Sequence, residues 1–190
     1  MISKKEKPAL LLVDIQKGFD PISYWGDERN NPEAEKNAAR LLHRWRELKL
    51  PLFHIQHAST NPESPLAEDK PGHEIHELVK PLDGEPLLKK NVNSAFIGTS
   101  LLGLLQEAEI KTLVICGLTT DHCVSTTTRM AGNYGLNTFL VEDATATFNK
   151  TFEGKNYSAE TIHKTTLATL QDEFAQIVKT DEILGLNLMN

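Results

Sequence analysis

Cysteine is scarce in this 190-residue chain, with two in all. Two cannot build a disulfide framework, and Cys116 and Cys123 stand too far apart for a CxxC pair, so a reduced, cytoplasmic protein is expected. A basic run is also missing. The net charge is −6, from 20 basic and 26 acidic residues, which disfavours nucleic acid and anionic membranes as partners. "SKKEK" at 3–7 reads as a solvated lead-in to the first strand. No apolar stretch approaches a membrane span, and "ALLLV" is too short for a signal-peptide core before Asp14 ends it. Internal repeats and low-complexity linkers are absent too.

What remains is 39% apolar and 24% charged, the balance of an ordinary globular chain and the size of one domain over 1–190. Short apolar runs alternate with helical periods. "PALLLVD" (8–14), "PLFHIQH" (51–57), "EPLLKK" (85–90), "KTLVICG" (111–117), "NTFLVED" (137–143) and "AQIVKT" (175–180) read as strands. Helices are expected over 33–48, with Asn31 as N-cap, and over 99–110, capped by Thr99 or Ser100. Two more are expected over 121–135 and 158–173, then a short C-terminal turn. This alternation predicts a parallel sheet covered on both faces. Ligand sites in such sheets lie beyond the carboxyl ends of the strands. Asp14, His57, Lys90, Gly117 onward and Asp143 all stand there.

Each of these residues has two readings. Asp14 is a proton acceptor at the sheet mouth or a cap. "DIQKGFD" has one glycine where a phosphate cradle needs several, which argues against a nucleotide loop. One of Lys89 and Lys90 can thread its stem inward and deliver its ammonium, and periodicity does not say which. Cys123 follows a strand and opens a helix, where backbone N–H groups favour a thiolate, although free cysteines often only fill space. Cys116, inside an apolar strand, is a packing residue. His122 points about 100° away from Cys123 on a helix and makes a poor base. His54 and His57 fall on opposite strand faces, and His73 and His76 lack further ligands, so no metal is expected.

Together, Asp14, Lys90 and Cys123 resemble the isochorismatase-like cysteine hydrolases, the superfamily of nicotinamidase and N-carbamoylsarcosine amidase. "LLVDIQKGF", "KKNVNSAFIGTSLLGLL" and "LVICGLTTDHCVSTTTRMAGNYGLNTFLVEDATATF" match its three blocks in order. The lysine four residues before the Ser-Ala of "SAF" selects Lys90. "YWGDERNNPEAEKN" looks like a branch that contains streptothricin-hydrolase-like proteins.

The resemblance implies a three-layer α/β/α, Rossmann-like fold with an about six-stranded, mainly parallel sheet. It further implies an Asp14-Lys90-Cys123 triad and an oxyanion hole from the N–H groups of Thr119 and Cys123, after a cis Leu118–Thr119 bond. Where nicotinamidases carry Asp-x-His after the second strand, this chain reads "HIQHAST". No metal and no cofactor are therefore expected, and nicotinamide is disfavoured. The implied activity is hydrolysis of a C–N bond in a small amide, carbamoyl or imide compound through a thioester. The alternatives are vinyl-ether hydrolysis of the isochorismatase type and a catalytically idle binding member. Phe19, Trp25, His57, Asn93 and Phe96 are candidate substrate contacts, and a homo-oligomer is the expected assembly. Asp143 is expected to cap or bond loop backbone.

Overall fold

A computed structural model describes residues 6–20 and 22–186; most of the lysine-rich lead-in at 3–7 lies outside them. Six strands form one parallel sheet: β1 (Ala9–Val13), β2 (Leu52–His57), β3 (Leu87–Lys90), β4 (Thr112–Leu118), β5 (Asn137–Ala146) and β8 (Gln176–Val178), in the order β3-β2-β1-β4-β5-β8. Central strands of such a sheet are buried on both faces, which is why β1 and β4 read as unbroken apolar runs.

Side chains alternate between two layers. Leu10, Leu12, Val114, Cys116, Phe139 and Val141 pack on one side against α1 (Ala34–Leu48) and Ile183 of α5 (Thr180–Leu184). Ala9, Leu11, Val13, Leu113, Ile115 and Leu140 pack on the other against α2 (Leu101–Glu107), α3 (Ser125–Asn133) and α4 (Ala159–Leu170). On α1 the buried residues Ala38, Leu41, Leu42 and Trp45 follow the helical spacing of one face. Ser100 at the N-cap of α2 makes no side-chain cap bond; Thr99, one residue earlier, accepts from Leu101 N at 3.3 Å through Oγ1.

Two local features depart from the sequence reading. Asn31 does not cap α1, which starts without a side-chain cap. Its Nδ2 instead donates to the carbonyls of Glu142 (2.9 Å) and Thr145 (2.7 Å), where β5 runs on past 143 after a register shift against β4. Both residues lie beyond Phe139–Val141, the stretch that β8 pairs, so their carbonyls take donors from elsewhere. A small antiparallel hairpin, β6 (Lys150–Phe152) with β7 (Lys155–Tyr157), is not anticipated at all. Its turn residues Glu153 and Gly154 both have positive φ, and Glu-Gly lacks the Asn-Gly or Asp-Gly signal that marks such turns.

The chain leaves β1 to build β2 and β3 on one side, and β4 to build β5 and β8 on the other. The sheet therefore changes direction between β1 and β4, and a crevice opens at their carboxyl ends. Gly117 makes the crossing there close: a Cβ on it would sit 1.9 Å from the Val13 carbonyl oxygen.

Candidate active site

Asp14 is the first residue beyond β1 and is fully buried. Its φ is 52°, a left-handed conformation that Asp tolerates better than most residues. Lys90 ends β3, two strands away. Period two separates the lysine pair: Lys89 points out and pairs with Glu68 at 2.9 Å, while the Lys90 side chain has no exposed surface. Its four-carbon stem carries the ammonium past the end of β2 to the carboxylate on β1.

There Lys90 Nζ meets three acceptors, one for each of its N–H bonds. Asp14 Oδ2 lies at 2.6 Å, His57 Nδ1 at 3.1 Å and Cys123 Sγ at 3.3 Å. An ammonium has no acceptor, so all three contacts run outward from it. Oδ1 of Asp14 is buried with no hydrogen-bond partner, leaving an acceptor unspent beside the half-buried thiol. A carboxylate oxygen, a His57 ring nitrogen and Sγ lie within 4.8 Å of one another, a spacing that also suits a metal ion. Here the Lys90 ammonium already sits against all three ligand atoms, so a metal does not fit alongside it.

Burial dominates the electrostatics. It raises the Asp14 pKa, and the nearby Lys90 charge opposes that rise. Burial and then the Asp14 charge push the Cys123 thiol well above its ordinary value, against the pull of Lys90. Desolvation thus works against the thiolate that a helix start favours. Moving its proton to Asp14 shifts negative charge from oxygen to sulfur within reach of one cation.

Cys123 stands in a π-helical turn, Thr120–Val124, that leads into α3. The Leu118–Thr119 peptide before it is cis. Neighbours hold this turn from both flanks. Thr120 Oγ1 meets His163 Nδ1 at 2.9 Å, and Asp121 accepts a hydrogen bond from Thr147 and faces Lys150 Nζ at 3.8 Å. His122 points outward, exposed, with its Nε2 3.5 Å from Asp121. Cys116 is fully buried in β4.

The candidate substrate contacts scatter. His57 borders Lys90, and exposed Asn93 places Oδ1 3.9 Å from Cys123 Sγ. Phe96 is buried in the layer of α2 and α3, its ring 5.3 Å from that of Tyr134. Phe19 and Trp25, 4.6 Å apart, pack with Phe148 and Leu118 into a satellite core. His73 and His76 do not converge: His73 is buried with Nδ1 near the Leu66 carbonyl, and His76 Nδ1 accepts from Leu78 N. Asp143 caps α5, accepting from Thr180 N and Oγ1 at 2.8 and 2.7 Å.

Sequence reasoning missed Gln16. Its side-chain amide acts as a one-residue strand extension, accepting from His57 N at 2.8 Å and donating to His57 O at 3.0 Å and His73 O at 2.8 Å. A buried glutamine two residues past Asp14 was the available signal. A cavity of about 970 Å³ lies at the opposite, amino end of the sheet, lined by Leu102, Lys111, Thr112 and Tyr134. It holds no comparable chemistry.

A family model described as the isochorismatase domain matches residues 8–182. This chain belongs to the isochorismatase family. It is 50% identical to the isochorismatase family protein YrdC of Bacillus subtilis, over 95% of this chain and 96% of that protein. An isochorismatase-family crystal structure from Chromobacterium violaceum superposes with a TM-score of 0.90 at 42% identity, covering 94% of this chain and 92% of the other. Streptothricin hydrolase of Streptomyces noursei is 32% identical over 74% of this chain and 55% of its own length. Members of the family are hydrolases, and the parallel six-stranded sheet between helical layers is their fold.

Proposed function

We propose that this isochorismatase-family hydrolase is a metal-independent cysteine amidohydrolase that cleaves a C–N bond of a small amide, carbamoyl or imide substrate. The observation that carries this reading is Lys90 Nζ, buried and within 2.6 Å of Asp14 Oδ2 and 3.3 Å of Cys123 Sγ. Asp14 takes the thiol proton while Lys90 compensates the charge that develops on sulfur. The thiolate adds to the substrate carbonyl, and the oxyanion is held by the N–H groups of Thr119 and Cys123. Protonated Asp14 then gives its proton to the departing nitrogen. The thioester left on Cys123 is hydrolysed by a water that Asp14 deprotonates, which restores the thiol.

Relatives named for amide hydrolysis support the reading. Nicotinamidase 3 of Arabidopsis thaliana and maleamate amidohydrolase of Pseudomonas putida are each 28% identical, over 92% and 72% of this chain. Streptothricin hydrolase is a further relative named as a hydrolase. Two free cysteines fit the reduced, cytoplasmic setting proposed for it, and among the described residues no helix is long and apolar enough to cross a membrane. A homo-oligomer remains part of the proposal, open to sedimentation analysis.

The test is a panel of small linear amides, carbamoyl compounds and cyclic imides, followed by amine or ammonia release and by intact-mass detection of an acyl group on Cys123. Turnover with a trapped Cys123 adduct is expected. Turnover that persists in Cys123→Ala overturns the covalent route.

A further inference from the structure

His57 comes from β2, the strand that Lys90 must cross to reach Asp14, since β2 lies between β3 and β1. His57 and Lys90 are register partners in the sheet. The ring nitrogen Nδ1 is 3.1 Å from Lys90 Nζ, and an ammonium can only donate to it. Nδ1 must then be unprotonated, which puts the ring proton of a neutral imidazole on Nε2. The ring is itself fixed at its root. Gln16 grips both the N–H and the C=O of His57, so the imidazole is set on the sheet rather than on a loose loop.

A lysine stem has four rotatable bonds, and freezing it in one direction costs conformational entropy. Asp14 and Cys123 alone give the ammonium two anchors on one side, at β1 and after β4. His57 supplies the third from the β2 side. Its removal leaves one N–H of a buried ammonium without an acceptor, and such a group seeks a new geometry.

We propose that His57 is a positioning residue, holding Lys90 Nζ between Asp14 and Cys123 by accepting its third N–H at Nδ1. The proposal rests on the amidohydrolase reading for its purpose, but its geometry is testable without a substrate. With Nδ1 turned to Lys90, His57 acts through Lys90.

Three measurements test it. The first is the rate of Cys123 alkylation by iodoacetamide, which senses the thiol in its Asp14–Lys90 setting. His57→Leu should slow it about ten- to a hundredfold, the loss of a hydrogen bond to a charged group. His57→Asn, whose Oδ1 falls near the Nδ1 position, should restore most of the rate. Wild-type alkylation in folded His57→Leu overturns the proposal, as does an Asn variant no faster than Leu.

The second is a double-mutant cycle. In a Lys90→Met background, His57→Leu should change the rate little further, because the histidine acts through the lysine; full additivity overturns the proposal. The third uses the wild-type protein and so survives any folding defect in the variants. The ¹⁵N chemical shifts of His57 at neutral pH should show an unprotonated Nδ1 and a protonated Nε2. A protonated Nδ1 overturns the assignment. A barren amide panel alongside slowed His57→Leu alkylation would sink the amidohydrolase reading and leave this one standing.

Discussion

Lys90 Nζ and Asp14 Oδ2 are 2.6 Å apart, with neither side chain exposed. A buried ion pair of this kind is weak evidence for stability, because desolvation consumes much of the attraction. Its retention at the crevice is better explained by chemistry. The pair keeps a carboxylate in the interior beside a thiol, ready to receive a proton and shielded from bulk water.

Removing the cation alone should be costly. Lys90→Met leaves the Asp14 carboxylate uncompensated and is expected to lower stability by about 3–5 kcal/mol. Asp14→Asn/Lys90→Met should recover most of that loss in urea denaturation while remaining inactive. A double variant as unstable as the single one would contradict this account.

Cys123→Ala should abolish turnover, with a melting temperature close to wild type, since the side chain is half-buried and only borders the core. Iodoacetamide should label Cys123 in the native state and reach Cys116 only on unfolding. Lys90→Ala should slow the Cys123 reaction. Equal labelling of the two cysteines in native protein would remove the case for an accessible, activated nucleophile.

Dialysis against a chelator should leave activity unchanged, because the three metal-type ligand atoms, from Asp14, His57 and Cys123, already surround an ammonium. Loss of turnover that added zinc restores would require another arrangement of Lys90.

His57 makes one contribution to the pH dependence of stability, its pKa being lowered to about 4, first by burial and then by the Lys90 charge. An unfolded imidazole binds its proton near pH 6.5, so between about 6.5 and 4 the unfolded chain holds more protons. The contribution of His57 is thus intact above pH 6.5 and is lost as the pH falls towards 4. The stability gap between wild type and His57→Asn, measured by urea midpoints, should shrink from pH 7 to pH 4.5. A constant gap would mean that His57 already titrates normally in the fold.

Gly117→Ala should be among the most damaging single substitutions. The added Cβ would meet Val13 backbone at 1.9 Å, at a φ of 132°. A loss on the order of 3 kcal/mol or more, or failure to accumulate folded protein, is expected. A near-normal melting temperature would show that β1 and β4 can separate.

The layers were legible in sequence because buried parallel strands announce themselves as apolar runs, and α1 repeats its buried face at helical spacing. Asp14 and Cys123 were visible by position at strand ends. Lys90 was visible only with its neighbours in the family block, since Lys89 has the same local chemistry. Contacts between distant segments were not legible. Phe148 completes the Phe19–Trp25 cluster from well over a hundred residues away, Asn31 serves carbonyls at the end of β5 instead of its own helix, and Gln16 stitches the end of β2. Burial is a property of the assembled fold, and its upward push on the Cys123 thiol works against the local helix start.

The reversal of the sheet between β1 and β4 has a consequence for the life of the chain. Lys90 is 76 residues from Asp14 and 33 from Cys123, and each arrives on a different strand. The three come together only once β3, β2, β1 and β4 have joined in the sheet. On the proposed mechanism the base and the cation reach Cys123 only when the fold is complete, so a nascent chain lacks the site. The dependence of Cys123 alkylation on Lys90 would then report native topology and follow folding without any knowledge of the substrate.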